Sequence, residues 1–256
     1  MVNRNHNLIS DVMKYINSLS HERNFKVTSQ MTTNGALLTA RKHKELKDLG
    51  VTSFQVSFDG DAPFHNKLRV TRNNTPTFDL VYNNLLALHK SDIENNITVR
   101  IHINNENAES VEHLLERFKI DIGSDERFQF FIRSLERLGS SNDGIIPVLD
   151  DHDVLERIVT NMNQKAIELD LNLYKEKNES YVCYASLFNS FVIRSNGEIG
   201  KCTVALNDKK NTIGKIREDG KISLTMEKFK YWIRGQMSKN EEELGCPYFN
   251  TPDRNS

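Results

Sequence analysis

Apolar residues in segment 8–19 recur every three or four positions, and polar residues fill the positions between them. This spacing puts the apolar side chains on one face of a helix, so we predict an amphipathic helix there. Residues 25–31 alternate less regularly and predict a strand, which ends at the turn sequence Thr33-Asn34-Gly35. A helix followed by a strand is thus the first predicted unit.

The same order of helix and strand is predicted three more times up to residue 132. The pairs span residues 37–49 and 54–58, 78–89 and 97–103, and 111–118 and 128–132. Gly50 is placed to end the first of these helices, and Asp59-Gly60 ends the strand after it. Helix–strand units with short connections are typical of α/β proteins, so we predict a parallel sheet.

The pattern changes after residue 138. Segment 139–144 reads Gly-Ser-Ser-Asn-Asp-Gly, which is typical of a linker, and a long amphipathic helix is predicted after it at 154–169. Two hairpin signals follow, at Asn196-Gly197 and Asp219-Gly220, and a final helix is predicted at 226–237. We therefore place a boundary near Gly144. The two predicted domains are residues 1–144 and residues 145–256, the second with a linker helix and a small antiparallel β unit.

Charge and composition exclude several classes of partner. The 256 residues carry 34 Lys and Arg against 35 Asp and Glu, a net charge of −1, so no overall field attracts nucleic acid or anionic lipid. No apolar run is long enough to cross a bilayer, and we expect a cytoplasmic protein. The three cysteines, Cys183, Cys202 and Cys246, are far apart and odd in number, which favours metal binding or packing over a disulfide framework.

Three short sequences in the first domain, taken in order and at these spacings, resemble one known family. They are Thr33-Asn34-Gly35, Ser57-Phe58-Asp59-Gly60 with His65 and Arg69 after it, and Thr77-Phe78-Asp79 at the start of a helix. Together they resemble the barrel of radical S-adenosylmethionine (radical SAM) maturases, which include sulfatase maturases and peptide-modifying enzymes. The resemblance implies a partial radical SAM (β/α) barrel of about four of the family's six strands.

The cysteines of the second domain resemble the SPASM pattern of the same family. Thirteen residues (184–196) separate Cys183 from Gly197, and four (198–201) separate Gly197 from Cys202. In that family such cysteines help to bind an auxiliary iron–sulfur cluster, and Cys246 stands where a downstream Cys-x-x-Cys would begin. The alternative for Cys183 and Cys202 is that they are simply buried thiols.

The chemistry that the resemblance implies is reductive cleavage of S-adenosylmethionine at a [4Fe-4S] cluster, followed by hydrogen abstraction from a bound peptide or protein. The chain departs from the family in three places. It has no Cys-x-x-x-Cys-x-x-Cys, it has Val2-Asn3-Arg4-Asn5-His6 near the family's Gly-Gly-Glu-Pro, and Phe249 replaces the second cysteine of Cys-x-x-Cys. We therefore expect an N- and C-terminally incomplete member, inactive alone and completed by an upstream segment or a partner chain.

The residue after Cys202 separates two kinds of parent activity. Sulfatase maturases carry an acidic proton acceptor there, whereas this chain has Thr203. Peptide maturation is therefore favoured over sulfatase maturation. The second hypothesis, from a different class, is a non-catalytic peptide- or partner-binding module that keeps the cleft of the barrel without its chemistry.

Five residues are the candidate cofactor ligands that the resemblance implies. Ser57 and Asp59 would meet the ribose or methionine part of the cofactor, Arg100 its carboxylate, and Asn34 and Gly35 would shape the pocket. Each has a plainer interpretation. Ser57, Asp59, Asn34 and Gly35 could serve turns, and Arg100 could pair with a surface acid.

His65 and Arg69 are weaker candidates for the mouth of the site. A histidine exposed in a loop is the favoured interpretation of His65.

Overall fold

The computed structural model describes residues 6–94, 96–104, 106–135, 152–174 and 182–248. Packing divides them into two compact units, one containing the residues up to Leu135 together with 152–174, the other containing 182–248. In the first unit the elements are α1 (His6–Arg23), β1 (Gln30–Thr33), α2 (Ala40–Asp48), β2 (Ser53–Phe58), α3 (Ala62–Leu68), α4 (Phe78–His89), β3 (Ile97–Ile103), α5 (Ala108–Asp121), β4 (Phe128–Ser134) and α6 (His152–Glu168).

The four strands of the first unit form one parallel sheet in the order β1-β2-β3-β4. Strand order follows chain order, as expected when each strand is joined to the next by a helical connection on the sheet. This confirms the predicted α/β class and the predicted parallel sheet.

One face of this sheet is the core. In β3, Ile97, Val99, Ile101 and Ile103 are all buried, whereas the residues between them are partly exposed on the opposite face. The core face packs against apolar residues of α4 and α5, including Phe78, Tyr82, Leu114 and Phe118. The alternation of side chains along a strand therefore leaves a second, polar face for binding.

β1 is shorter than predicted. The predicted strand at 25–31 was wrong at its start, because the ladder with β2 begins only at Gln30, which is paired with Ser53. Phe25 instead donates its backbone N–H to the Ser20 carbonyl at the end of α1, and its side chain is 45% exposed. The alternation at 25–27 reflects the exit from a helix rather than a strand.

α6 belongs with the first unit, although the sequence analysis grouped it with the second domain. Lys165 of α6 forms ion pairs with Glu112 and Glu116 of α5, at 2.7 and 3.0 Å. The chain after α6 then pairs with β4, where the Phe130 N–H donates to the Asn172 carbonyl and the Tyr174 N–H donates to the Phe130 carbonyl, both at 2.8 Å. The predicted boundary near Gly144 lies outside the described residues.

The second unit is small and antiparallel. Its strands are β5 (Val192–Ile193), β6 (Glu198–Gly200), β7 (Gly214–Ile216) and β8 (Ile222–Leu224), and its helices are α7 (Met226–Trp232), α8 (Arg234–Ser238) and α9 (Glu241–Gly245). Both hairpin predictions are confirmed, with Gly197 and Gly220 at positive φ in the turns. The single helix predicted at 226–237 was wrong, because it is interrupted at Ile233. Trp232 is fully buried and donates from Nε1 to the Lys210 carbonyl at 3.0 Å.

Among the described helices, none combines the length and the apolar character needed to span a membrane.

Candidate functional site

The polar face of the sheet carries the candidate residues Ser57 and Arg100 side by side. They are Cα partners in the register of β2 and β3, and both alternate with core residues, so their side chains lie on the face opposite the core. Ser57 is buried and Arg100 is partly buried. In open α/β sheets ligands bind at the carboxyl ends of the strands. Ser57 lies one residue before the end of β2, whereas Arg100 is the middle residue of β3.

Asp59, just past the end of β2, is the centre of a buried polar network. Its Oδ2 accepts from Arg69 Nε at 2.5 Å, and its Oδ1 accepts from Arg69 Nη2 at 3.0 Å and pairs with His102 Nδ1 at 2.9 Å. Burial raises the pKa of Asp59, but the hydrogen bonds from His102 and Arg69 outweigh it, and the pKa lies well below its ordinary value. Asp59 is therefore a buried carboxylate whose two oxygens are both bound within the chain.

Two asparagines form hydrogen bonds with the backbone at the strand ends that carry this network. Asn107 Nδ2 donates to the Asp59 carbonyl at 2.8 Å and to the His102 carbonyl at 2.9 Å, so one amide joins β2 to β3. Asn104 and Asn107 also bind each other's backbone, each side-chain oxygen accepting from the other residue's N–H. Both are almost completely buried, which gives the network a rigid base.

The turn after Asp59 requires a glycine. Gly60 has φ +125°, and a Cβ there would lie 2.3 Å from Ser110 Oγ. That close approach lets Ser110 donate to Asp61 Oδ1 at 2.6 Å, while Asp61 caps the first turn of α3. The Ser-x-Asp-Gly sequence thus brings α3 and α5 against the end of β2.

Asn34 and Gly35 form the turn after β1. Asn34 is exposed and its Oδ1 accepts from the Ala36 N–H at 3.3 Å, while the buried Gly35 has φ +76°. The Gly35 carbonyl accepts from Asn84 Nδ2 at 2.9 Å, which attaches the turn to α4. The structure therefore shows the turn function of both residues, and their contact with a cofactor stays a prediction.

The interpretation of His65 as a solvated loop histidine was wrong. His65 lies in α3 and is fully buried, and its ring packs at a tilt against Phe58 and edge-to-face against Phe78. Burial is the main reason that its pKa falls to about 4, so the ring is neutral near neutral pH. The sequence signal for α3 was Asp61 followed by Pro63, an N-cap residue with a proline in the first turn.

His102 and Asn107 are the site residues that sequence reasoning missed. The period-two pattern of β3 already placed His102 on the same face as Arg100, two residues further toward the carboxyl end. The pairing of His102 with Asp59 joins residues 43 positions apart, which no local pattern reveals.

The surroundings of the cysteines in the second unit show whether these residues could bind an iron–sulfur cluster. Cys202 Sγ accepts from the backbone N–H of Val204 at 3.3 Å and of Ala205 at 3.5 Å, an arrangement that suits a thiolate. The Cys183 N–H donates to the Leu244 carbonyl, two residues before Cys246. Within the described ranges, however, no three His, Cys, Asp or Glu side chains come together as a metal site. The residues present therefore do not make a complete cluster site.

A buried cation lies beside these cysteines. The fully buried Lys201 donates from Nζ to the carbonyls of Leu187 and Ser190, and its ammonium lies over the rings of Phe191 and Phe229. Burial lowers its pKa to about 8. These contacts compensate for desolvation and hold the segment before β5 against β6.

Part of the sequence is similar to a known protein family. Residues 4–118 match the model of the radical SAM superfamily. These residues make up less than half of the chain, and this part of the first unit is similar to a radical SAM domain. No curated protein matches the sequence significantly.

The solved structures that match include several of anSMEcpe, an anaerobic sulfatase maturating enzyme. The His6-tagged form with bound AdoMet has a TM-score of 0.58 and 17% identity, over 93% of this chain and 67% of that one. The native form with AdoMet and the Kp18Cys peptide has a TM-score of 0.58 and 18% identity, over 86% of this chain and 62% of that one. The native form with AdoMet and the Cp18Cys peptide has a TM-score of 0.60 and 18% identity, over 95% of this chain and 67% of that one. The chain thus spans about two thirds or less of their length. At such identities the likeness shows the fold, which is that of a radical SAM maturase.

Proposed function

We propose that this chain is part of a cytoplasmic radical SAM maturase of the SPASM type, which modifies a ribosomal peptide or protein by radical hydrogen abstraction. The observation that carries the proposal is the radical SAM match over residues 4–118, in a chain with the fold of a peptide-binding maturase. Peptide maturation is preferred to sulfatase maturation, because the residue after Cys202 is Thr203 rather than an acid. The Thr203 hydroxyl forms a hydrogen bond of 2.6 Å with the Tyr184 hydroxyl.

S-adenosylmethionine would lie along the polar face of the sheet. Ser57 and Arg100 are the candidate ligands best placed for it, because they are neighbours in register on this face, with Ser57 near the carboxyl end of β2 and Arg100 in the middle of β3. A guanidinium there suits a carboxylate. Asn34 and Gly35 would border the pocket at the end of β1, and Asp59 would act mainly through the residues that it binds.

The [4Fe-4S] cluster would need thiolates from outside this sequence. The chain has three cysteines, all in its second unit, and lacks the closely spaced triad of the family. We therefore propose that an upstream segment or a partner chain supplies that triad, and that Cys183, Cys202 and Cys246 contribute to an auxiliary site.

Anaerobic reconstitution with iron and sulfide tests this proposal. The chain alone should bind fewer than four irons and release no 5′-deoxyadenosine from S-adenosylmethionine, and Cys202→Ser should lower the iron bound. Ser195→Ala, which removes an exposed hydroxyl of the same unit, is the matched control and should bind iron as the parent does. A stoichiometric four-iron cluster that cleaves S-adenosylmethionine in the chain alone would contradict the claim that it is incomplete.

A non-catalytic peptide- or partner-binding module is the second candidate. It is favoured by Asp59, whose two carboxylate oxygens are already bound by Arg69 and His102. Calorimetry with the Cp18Cys peptide distinguishes the two. Peptide binding by iron-free chain that is unchanged after reconstitution favours the module, and binding only in the presence of the cluster favours the maturase.

A further inference from the structure

The tautomer of His102 follows from its partners. The Asp59 carboxylate only accepts hydrogen bonds, and its Oδ1 lies 2.9 Å from His102 Nδ1, so Nδ1 carries the proton. The alternative, in which Nδ1 accepts from Arg69 Nη2, has the longer distance of 3.3 Å, and Arg69 is already engaged with Asp59. A neutral ring in this state has its lone pair on Nε2.

The second ring nitrogen of His102, Nε2, takes no part in the hydrogen bonds of this network. Asp59, Arg69 and Asn107 use their polar groups on one another and on the strand ends. His102 Nε2 has no hydrogen-bond partner among the described residues, which leaves this nitrogen free to accept a hydrogen bond from a ligand. The His102 side chain is 14% exposed, so only a small part of it is in contact with solvent.

The surroundings of Nε2 are those of a ligand site. His102 lies on the polar face of β3, and its Cα partner on β4 is the exposed Arg133, whose guanidinium lies 5.5 Å from the centre of the Phe131 ring. Arg100 is two residues back on the same face. A carboxylate-oriented imidazole with one accessible nitrogen, set at the carboxyl end of a central strand, is the arrangement used for general bases.

We propose that His102 is the proton acceptor for the peptide substrate of this site and that Asp59 is its positioning residue. The inference rests on the proposed function and adds a residue role to it. His102 Nε2 takes the proton of a hydroxyl or thiol of the bound peptide. The O–H or S–H bond breaks, an Nε2–H bond forms, and the charge that appears on the imidazolium is balanced by the Asp59 carboxylate.

Nuclear magnetic resonance of the full chain labelled with ¹⁵N-histidine tests the tautomer. We expect His102 with a protonated Nδ1 and a bare Nε2, and a mixture of tautomers in Asp59→Asn. Asp61→Asn is the matched control, because Asp61 lies at the same end of the sheet but faces His113, 3.6 Å away, rather than His102. A bare Nδ1 in the parent chain, or no change in Asp59→Asn, would overturn the proposal.

A second measurement needs no variant and so remains decisive if Asp59→Asn does not fold. Diethyl pyrocarbonate should modify His102 and the more exposed His113 but not the fully buried His65. Modified positions are read by mass spectrometry. An unmodified His102 under conditions that fully modify His113 would show that Nε2 is closed to ligands, and the proposal would fail.

Protection from the reagent identifies what Nε2 meets. The arms are S-adenosylmethionine alone, the Cp18Cys peptide alone and both together, with binding in each arm measured by calorimetry. Protection that requires the peptide, with a reduction of His102 modification of about fivefold or more, the equivalent of one hydrogen bond, is the expected result.

Two other results overturn the substrate role. Protection by S-adenosylmethionine alone assigns Nε2 to the cofactor, and binding of the peptide without protection shows that the peptide does not contact Nε2. If neither ligand binds, either before or after reconstitution with iron and sulfide, the proposed function and the substrate role both fail, and the Asp59–His102 geometry is still decided by the tautomer.

Discussion

The guanidinium of Arg69 binds the carboxylate of Asp59 through two hydrogen bonds, from Nε at 2.5 Å and from Nη2 at 3.0 Å. The Asp59 side chain is 8% exposed and that of Arg69 is 30% exposed. An ion pair of this kind joins the end of β2 to the residue that follows α3. It therefore couples the candidate site to the stability of the first unit.

Removing the arginine should be costly. In Arg69→Met the buried Asp59 loses the guanidinium that donates two hydrogen bonds to it, and we expect the free energy of unfolding to fall by about 3 kcal/mol. Urea unfolding measures this. Arg41→Met is the matched control, because Arg41 is exposed and its pair with Glu45 spans 3.7 Å, so it should cost under about 0.5 kcal/mol. Equal losses in the two variants would show that Asp59 does not depend on Arg69.

The same carboxylate predicts a dependence on acid. The folded pKa of Asp59 lies below its ordinary value of 3.8, so its contribution to stability is complete above about pH 4 and is lost as the pH falls through the folded pKa. Unfolding measured between pH 2 and 5 (about the range in which Asp titrates) should show this loss in the parent chain. Asp59→Asn should lack it, and an unchanged profile would contradict the assignment.

Two buried histidines predict a second loss of stability on acidification, between pH 6.5 and about 4. Burial is the main cause that lowers the pKa values of His43 and His65 from 6.5 to about 4. Between those values the unfolded chain binds protons that the folded chain does not, so stability falls with falling pH, by about 1.4 kcal/mol per pH unit for each histidine. Below pH 4 this dependence ends.

Replacing one of the two isolates its share. His43 packs on Phe54 with ring centres 4.5 Å apart, so His43→Phe keeps an aromatic ring and should reduce the slope between pH 6.5 and 4. The exposed His113 serves as control, and His113→Asn should keep the parent slope. Denaturant midpoints measured at several pH values decide this, and a slope unaffected by His43→Phe would refute the assignment to burial.

The turn after β1 predicts a strong effect of a single methyl group. A Cβ at Gly35 would lie 2.7 Å from Val56 Cγ1 and 2.8 Å from Val81 Cγ1, at φ +76°. We expect Gly35→Ala to destabilise the chain by about 2 to 4 kcal/mol, from overpacking together with backbone strain. The control is Gly220→Ala, where φ is +77° and no atom lies within 4 Å, so only strain of about 1 kcal/mol remains. Thermal unfolding that gave similar losses would exclude the packing explanation.

The outer face of α1 predicts self-association. Leu8, Val12 and Tyr15 are exposed at helical spacing, and in the part of the chain that the structure describes β1 has a ladder partner on one side only. Such surfaces favour association. The double variant Val12→Lys, Tyr15→Lys should lower the mean mass in sedimentation at high concentration. Ile120→Lys removes an isolated exposed apolar residue and should change nothing, and the prediction fails if both behave alike.

Local pattern was a sufficient guide to the elements whose alternation is strong. Helix α4 and strand β3 begin and end where the sequence predicts them, because six of twelve positions in one and four of seven in the other are buried at the expected period. Both hairpin turns were recognised for a similarly local reason, since a glycine at positive φ follows Asn196 or Asp219. The prediction was weakest for β1 and α3, where short segments have few residues to establish a period.

The candidate site was only partly visible in sequence. Ser57 and Asp59 could be singled out because a strand and a turn sequence adjoin there. The partners that define their chemistry, Arg69, His102 and Asn107, come from other elements, and nothing local marks them as partners. The likeness to a family directed attention to the correct end of the sheet but not to the bonds made there.

The sequence by itself determined the α/β class, the order of helices and strands and the number of thiols, because these depend on local periodicity and on counting. Only the tertiary structure decided that Asp59 is bound on both oxygens, that His65 is buried and that the His102 side chain is 14% exposed. The physical reason is that burial and hydrogen bonding depend on contacts between residues distant in the chain. Those contacts exist only once parallel strands bring their carboxyl ends together.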